Sequence, residues 1–221
     1  LPTKDRHASY FAGSADPNLP LTFQKAEPWP DAEEHNVRFA FDHAVQHNRQ
    51  QAGLALGWQL VDNLAFTYQK HFDNNDVFPA MLKLAEPDSL AAAAIYARYG
   101  APKALDQAER ILEKHSHPSI KWYCELNRVW ALRNQGDFKA ALQRALKLDD
   151  YPQNDQTKLR TLSHINKLLM ESGDSEAALE YLNASKSLYQ GVRRIWLLMH
   201  QSEIYLDQAR LKDARNTGLL M

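Results

Sequence analysis

The sequence is poor in what catalysis, membranes and nucleic acids draw on. It has one cysteine, Cys124, which excludes an intramolecular disulfide and a thiolate zinc site. No apolar run approaches the roughly 20 residues needed to span a bilayer as a helix. Positive charge is not in excess: 26 Lys and Arg stand against 27 Asp and Glu, a net charge of −1. Without a basic field, a nucleic-acid partner is not expected. Neither a glycine-rich phosphate loop, nor a nucleophile elbow, nor a pair of catalytic carboxylates can be found. We therefore expect no enzyme and no cofactor. The lone cysteine weighs toward a cytoplasmic over a periplasmic location without deciding between them. The first residue is Leu1 rather than an initiator methionine, and no signal peptide follows. A processed product or an excised segment is the expectation.

What the sequence does hold is ordinary for a globular protein: 44% apolar and 24% charged residues in 221. Several short patterns resemble sites and are read otherwise. His43 and His47 have the i, i+4 spacing of a metal-binding pair, but the glutamate of a metalloprotease motif is missing and no third ligand presents itself. They are read as surface histidines. "HSH" (115–117) precedes Pro118 at a helix end, where a cation complements the dipole. "DNND" (73–76) lacks the glycine and closing glutamate of a calcium loop and reads as a turn. Cys124 reads as a small buried filler, and "NAS" at Asn183 falls in or at the end of a helix, against glycosylation. No metal site is expected.

The informative feature is a repeat. "GDFKAALQRAL" (136–146) returns as "GDSEAALEYL" (173–182), 37 positions on. Weaker copies begin at Ala101 ("APKALDQAERIL") and Ala209 ("ARLKDARNTG"). Ala104, Ala141, Ala178 and Ala214 align across them, separated by 37, 37 and 36 positions. Each unit reads as two helices. Leu162, Ile165 and Leu169 form an apolar stripe, Gly173 and Asp174 break it, and Ala177, Ala178, Leu179 and Leu182 carry the second helix. Leu198, Ser202 and Tyr205 repeat the first-helix pattern. Such a pair cannot bury its apolar face alone, which predicts stacking of successive pairs.

These residues resemble the tetratricopeptide repeat (TPR) family. The family consensus places a small residue and an aromatic in the first helix, Gly-Asp-Tyr-like residues in the turn, then Ala-Ile/Leu in the second helix. "GDFKAAL", "GDSEAAL" and the Ser202/Tyr205 pair follow it over roughly residues 87–221. The chain departs in its longer period (the family's is about 34), in a mostly missing closing proline, and in Glu125 and Arg128 at positions expected to be apolar. The resemblance implies an all-α fold: an antiparallel helix-pair solenoid, a TPR-like superhelix of about four units (87–117, 118–151, 156–188, 191–221). The looser description "tetratricopeptide-like" also takes in the helical sensor arms of some bacterial transcription activators.

Upstream the pattern differs. Residues 1–30 hold five prolines and read as an extended arm. Residues 31–86 read as atypical helices: one from an Asp31 cap to about Gln51, one carrying Leu54, Trp58, Val61, Ala65, Tyr68 and Phe72, and a short one over 79–84. A cap for the solenoid is the main reading, a separate partner-binding unit the alternative.

In a TPR-like stack the first helices line the concave face. Opposite the Leu162/Ile165/Leu169 stripe lie Arg160, His164, Lys167 and Glu171; a period on lie Trp196, His200, Glu203 and Asp207; a period back lie Tyr123, Asn127, Trp130 and Asn134. Read as columns, these give Tyr123/Arg160/Trp196, Asn127/His164/His200 and Trp130/Lys167/Glu203 as candidate partner-binding residues, with Asn134/Glu171/Asp207 beside them. Interleaved aromatic, amide and charged groups suit recognition of a peptide or a polar small ligand, and the partner expected is a protein or peptide in the concave groove. The competing reading is a solvated helix face whose aromatics fill gaps between helices. The function expected is a protein- or peptide-binding adaptor or assembly module. The alternative is a ligand-sensing segment of a larger signalling or transcription protein. Leu219, Leu220 and Met221 give the last helix an apolar finish, from which continuation of the chain or self-association through this edge is expected.

Overall fold

The computed structural model describes residues 34–64, 76–151, 155–188 and 193–219. The arm over 1–30 and the stretch 65–75 lie outside them, as do the proposed cap at Asp31 and the C-terminal pair Leu220 and Met221. Among the described residues the protein is all-α, with eleven α-helices and no strand. They are α1 (Glu34–Gln46), α2 (Gln50–Leu64), α3 (Val77–Leu84), α4 (Leu90–Tyr99), α5 (Pro102–Lys114), α6 (Pro118–Asn134), α7 (Phe138–Leu146), α8 (Asp155–Glu171), α9 (Ser175–Ala184), α10 (Arg193–Asp207) and α11 (Leu211–Gly218). The chain divides into two compact units, Leu1–Cys124 and Glu125–Met221, and the division falls inside α6.

In the first unit each helix packs on its successor from α1 to α5. The first expected helix ends at Gln46 rather than near Gln51, and the second, which carries Leu54, Trp58 and Val61, begins at Gln50. Asn48, at φ 50°, ends α1, with the Asn48 N–H donating to the Val45 carbonyl and the Arg49 N–H to that of Ala44. That is a Schellman turn, and asparagine is among the few residues that accept its left-handed backbone. Gly53 and Gly57 then put a side-chain-free strip of α2 against α3. A Cβ on Gly57 would sit 2.6 Å from Met81 Cγ, and one on Gly53 would strike Leu84. The third helix starts at Val77, two residues before the expected Pro79, which takes its place in the first turn. In α4, Ala92, Ala93, Ala94, Ile95 and Ala97 are all buried, so this alanine-rich helix is covered on several sides by its neighbours. Ser89 caps it, accepting from the Ala92 N–H at 3.1 Å, and Gly100 closes it with φ 73°.

The second unit is built of hairpins. α7 packs on α8, α8 on α9, α9 on α10, and α10 on α11. The turns repeat at atomic detail. Gly136 (φ 80°), Gly173 (φ 82°) and Ala209 (φ 55°) each hold the left-handed position. At each, that residue's N–H bonds three residues back and the next residue's N–H five residues back: to Arg133 and Leu132, to Met170 and Leu169, and to Leu206 and Tyr205. Asp137 and Asp174 then cap the following helices, accepting from Ala140 at 3.0 Å and Ala177 at 3.1 Å. Ala141 and Ala178 are fully buried, and Ala104 and Ala214 nearly so. Beneath them Ala178 and Leu182 of α9 join Leu197 and Ile204 of α10 in one buried cluster, with Leu159, Leu169, Met170 and Leu179 packed against it. Glu125, out of place by the apolar pattern, accepts from the Arg144 Nε at 2.6 Å and ties α6 to α7.

Three stability outcomes follow from these turns and this packing. Nothing lies within 4 Å of a Cβ built on Gly173, so its glycine answers to backbone angle alone. Gly173→Ala should cost about 1 kcal/mol, whereas Ala209→Gly should stabilise by a similar amount, the left-handed penalty being relieved. Ala178→Leu should cost about 1–3 kcal/mol through overpacking. Urea midpoints of the three variants check the set; an unstabilised Ala209→Gly would remove the strain argument.

A candidate binding face across three helices

The polar residues of α6, α8 and α10 are brought together by the repeated turns. On α6, Trp130 lies edge-on to His164 of α8 with ring centroids 5.0 Å apart. One turn further along α6, the Arg133 guanidinium covers the Trp130 ring at 4.9 Å. The same guanidinium grips Glu171 of α8 through two parallel bonds, Nε at 2.6 Å and Nη2 at 2.5 Å. Such a fork fixes both side chains and the helices that carry them. On the other side, Ser163 Oγ of α8 and His200 Nε2 of α10 are 3.5 Å apart, and His200 Nδ1 lies 3.5 Å from Glu203.

The electrostatics follow from this crowding. Burial holds the His164 imidazole down at about 4, helped by the positive charges of Arg160, Arg133 and Lys167. It is a neutral ring at physiological pH. Glu171 is held below the usual carboxylate range, chiefly by its hydrogen bonds to Arg133, against an opposing effect of burial. Lys167 is exposed beside them, and Arg160 is partly buried.

The expected residues are distributed as follows. Trp130, His164 and Lys167 belong to this cluster, and Arg160 acts on it through its charge. His200 and Glu203 pair with each other, and His200 meets Ser163. Asn127 is partly buried on α6. The Trp196 side chain lies outside the described residues. Tyr123 faces the core of the first unit: it is 6% exposed, edge-on to Trp122, with the Arg98 guanidinium 5.2 Å from its ring. His164 meets Trp130 of α6, which lies one turn beyond Asn127, the α6 member of its expected column. Arg133 and Ser163 were not among the expected residues, although Arg133 lies next to Asn134 and 38 positions before Glu171, close to the repeat period.

Ser163, His200 and Glu203 stand in the order of a hydrolase triad. Ser163, however, lies in the interior of α8, where its amide is committed to the helix ladder. Elsewhere, Cys124 is buried, Asn183 accepts from Gln201 Nε2 at 3.0 Å, and Asp76 of "DNND" is paired with Arg38. His43 is buried and stacks against exposed His47, whose Nδ1 is 2.9 Å from the His43 carbonyl. His43 is therefore a core residue of α1 rather than a surface one. Burial pushes the His117 imidazole below its ordinary value, which disfavours its charged form. Among the described residues no group of three or more His, Cys, Asp or Glu could hold a metal ion, and no helix is long and apolar enough to cross a membrane.

No family model, no curated protein and no solved structure matches the chain.

The depressed His164 value has a signed consequence for stability. The unfolded chain takes up a proton near 6.5 and the folded one only near 4. Stability from this group is intact above about 6.5, falls between 6.5 and 4, and levels off below. His164→Gln should flatten the fall in urea midpoint across that window. His117, depressed by burial, adds a separate slope that His117→Gln would isolate. Glu171 acts lower, its contribution being lost as pH falls below about 4.5. An unchanged acid slope in His164→Gln would show that the imidazole is solvated.

Proposed function

We propose that this chain is an interaction module of tetratricopeptide-like helix pairs, whose α6, α8 and α10 face binds a segment of another protein. One observation supports the reading above the others: Trp130 is framed by His164 and Arg133 on a partly exposed, multi-helix surface. A framed indole pays little conformational entropy on binding and offers a large amphipathic contact. The fork between Arg133 and Glu171 keeps the frame in place, and exposed Lys167 adds positive charge at its edge. A segment carrying an apolar or aromatic anchor with acidic residues beside it fits that chemistry.

Panning a random peptide library on the immobilised chain tests the proposal. Enriched peptides should carry acidic residues and should bind Lys167→Glu about tenfold more weakly, as lost charge complementarity demands. Arg133→Ala should weaken them further, because it frees Trp130 and strands Glu171. Failure to enrich any peptide, or binding indifferent to both variants, would defeat the reading. Recovery of a small polar ligand from the purified chain, displaced by neither peptide nor variant, would favour the sensor alternative.

A further inference from the structure

The hairpin of α8 and α9 and the hairpin of α10 and α11 are related by the 37-position repeat, and their surfaces can be compared position by position. Leu169 of α8 is packed against the buried cluster that α10 completes, and Leu182 of α9, inside that cluster, is 1% exposed. Their counterparts 37 positions on are Leu206 of α10 and Leu219, the residue that caps the end of α11. Leu206 is 55% exposed and Leu219 is 75% exposed. Met199 on α10 and Leu211 on α11 enlarge the same two exposed surfaces. Met199 and Leu206 stand at i, i+7, and Leu211 and Leu219 at i, i+8, so each helix presents its own apolar stripe. Positions that a following hairpin covers within the unit are therefore bare here.

The charges beside the stripes are of opposite sign. Exposed Glu203 and Asp207 flank Leu206 on α10, whereas exposed Lys212 and Arg215 lie between or beside Leu211 and Leu219 on α11. Arg210 is already paired with Asp213 at 2.9 Å, within the turn and first turn of α11. One edge thus carries an acidic apolar stripe next to a basic apolar stripe. A two-fold axis brings an edge onto itself and places each patch on its complement in the other copy. Laid edge to edge, α10 of one copy meets α11 of the other, leucines on leucines and acids on bases.

We propose that the α10–α11 edge is a self-complementary surface that pairs with the same edge of a second copy of this chain. The pair forms a four-helix layer from the α10–α11 hairpins of the two copies. Apolar burial of Leu206 and Leu219 supplies the attraction, and the crossed charges fix the orientation.

Light scattering with size-exclusion chromatography across a concentration series tests this on the 221-residue chain. The wild type should pass from monomer to dimer with rising concentration. Two charge-reversed proteins sharpen the test: Glu203→Lys with Asp207→Lys, and Lys212→Glu with Arg215→Glu. Each alone places like charges across both halves of the interface and should dimerise at least about tenfold more weakly. Mixed in equal amounts they present complementary edges and should form a heterodimer. Leu206→Glu with Leu219→Glu should be monomeric throughout. Helical circular dichroism and unaltered urea midpoints establish that the variants are folded. A wild type monomeric at every concentration overturns the proposal. So does a wild-type dimer that the reversals leave unchanged, or a mixture that fails to recover pairing.

Discussion

A hairpin of two amphipathic helices has more apolar surface than its own two members can hide, and the second unit is organised by that shortage. Ala178 and Leu182 on α9 leave a hollow that α9 and α8 cannot fill between them. Leu197 and Ile204 from α10 complete it. The contact works only if α10 arrives at a fixed height and angle, which makes the turns as much a part of the packing as the leucines. Gly136, Gly173 and Ala209 provide the same left-handed bend with the same two hydrogen bonds. Small residues at 141, 145, 178 and 214 then allow the helices to close to contact distance. Ala209 shows the priority: the bend is kept even where the side chain resists it.

The polar face is a by-product of this regularity. Because the turns set each first helix in an equivalent place, residues about one period apart meet across helices. Arg133 meets Glu171, 38 positions on, and Ser163 meets His200, 37 positions on. The Arg133–Glu171 fork does two jobs with one geometry. It neutralises a partly buried charge on each helix, and it holds Arg133 over Trp130. His164 carries the opposing cost: its ring is buried, with three cations near it, and stays neutral where a solvated histidine would begin to titrate. A face built this way is rigid in its aromatic part and charged at its margin.

Legibility in the sequence followed the range of the interaction. The Gly-Asp turns and the alanine period were readable because their chemistry is local: a left-handed residue, a capping carboxylate, a small side chain at fixed spacing. The break between the first two helices falls earlier than the pattern places it, because Asn48 is neither glycine nor proline and the helical pattern runs across it. The Gly53 and Gly57 strip acquires meaning only from Met81 and Leu84, which lie on α3. Glu125 looked like an error in the apolar pattern until Arg144, on the next helix, supplied its partner. Tyr123 was carried onto the face by a one-period shift from Arg160. The shift fails because the chain divides inside α6, and Tyr123 lies on the side whose core it fills.

The site residues divide along the same line. Trp130 and His164 were legible as an aromatic and a histidine on faces that the repeat aligns, but their pairing was displaced by one turn. A repeat period fixes which helices meet. It does not fix where along them the side chains touch, because a tryptophan reaches a full turn from its own Cα. Arg133 was invisible for a different reason. On a helix already carrying Arg128 and Glu125, another arginine is indistinguishable from a solvated one until its carboxylate is known. The charge that organises the face is thus the one whose significance depends wholly on a residue 38 positions away. In a chain of repeated hairpins, apolar periodicity encodes the scaffold. The polar pairs that distinguish one face from another depend on how the hairpins are set against each other.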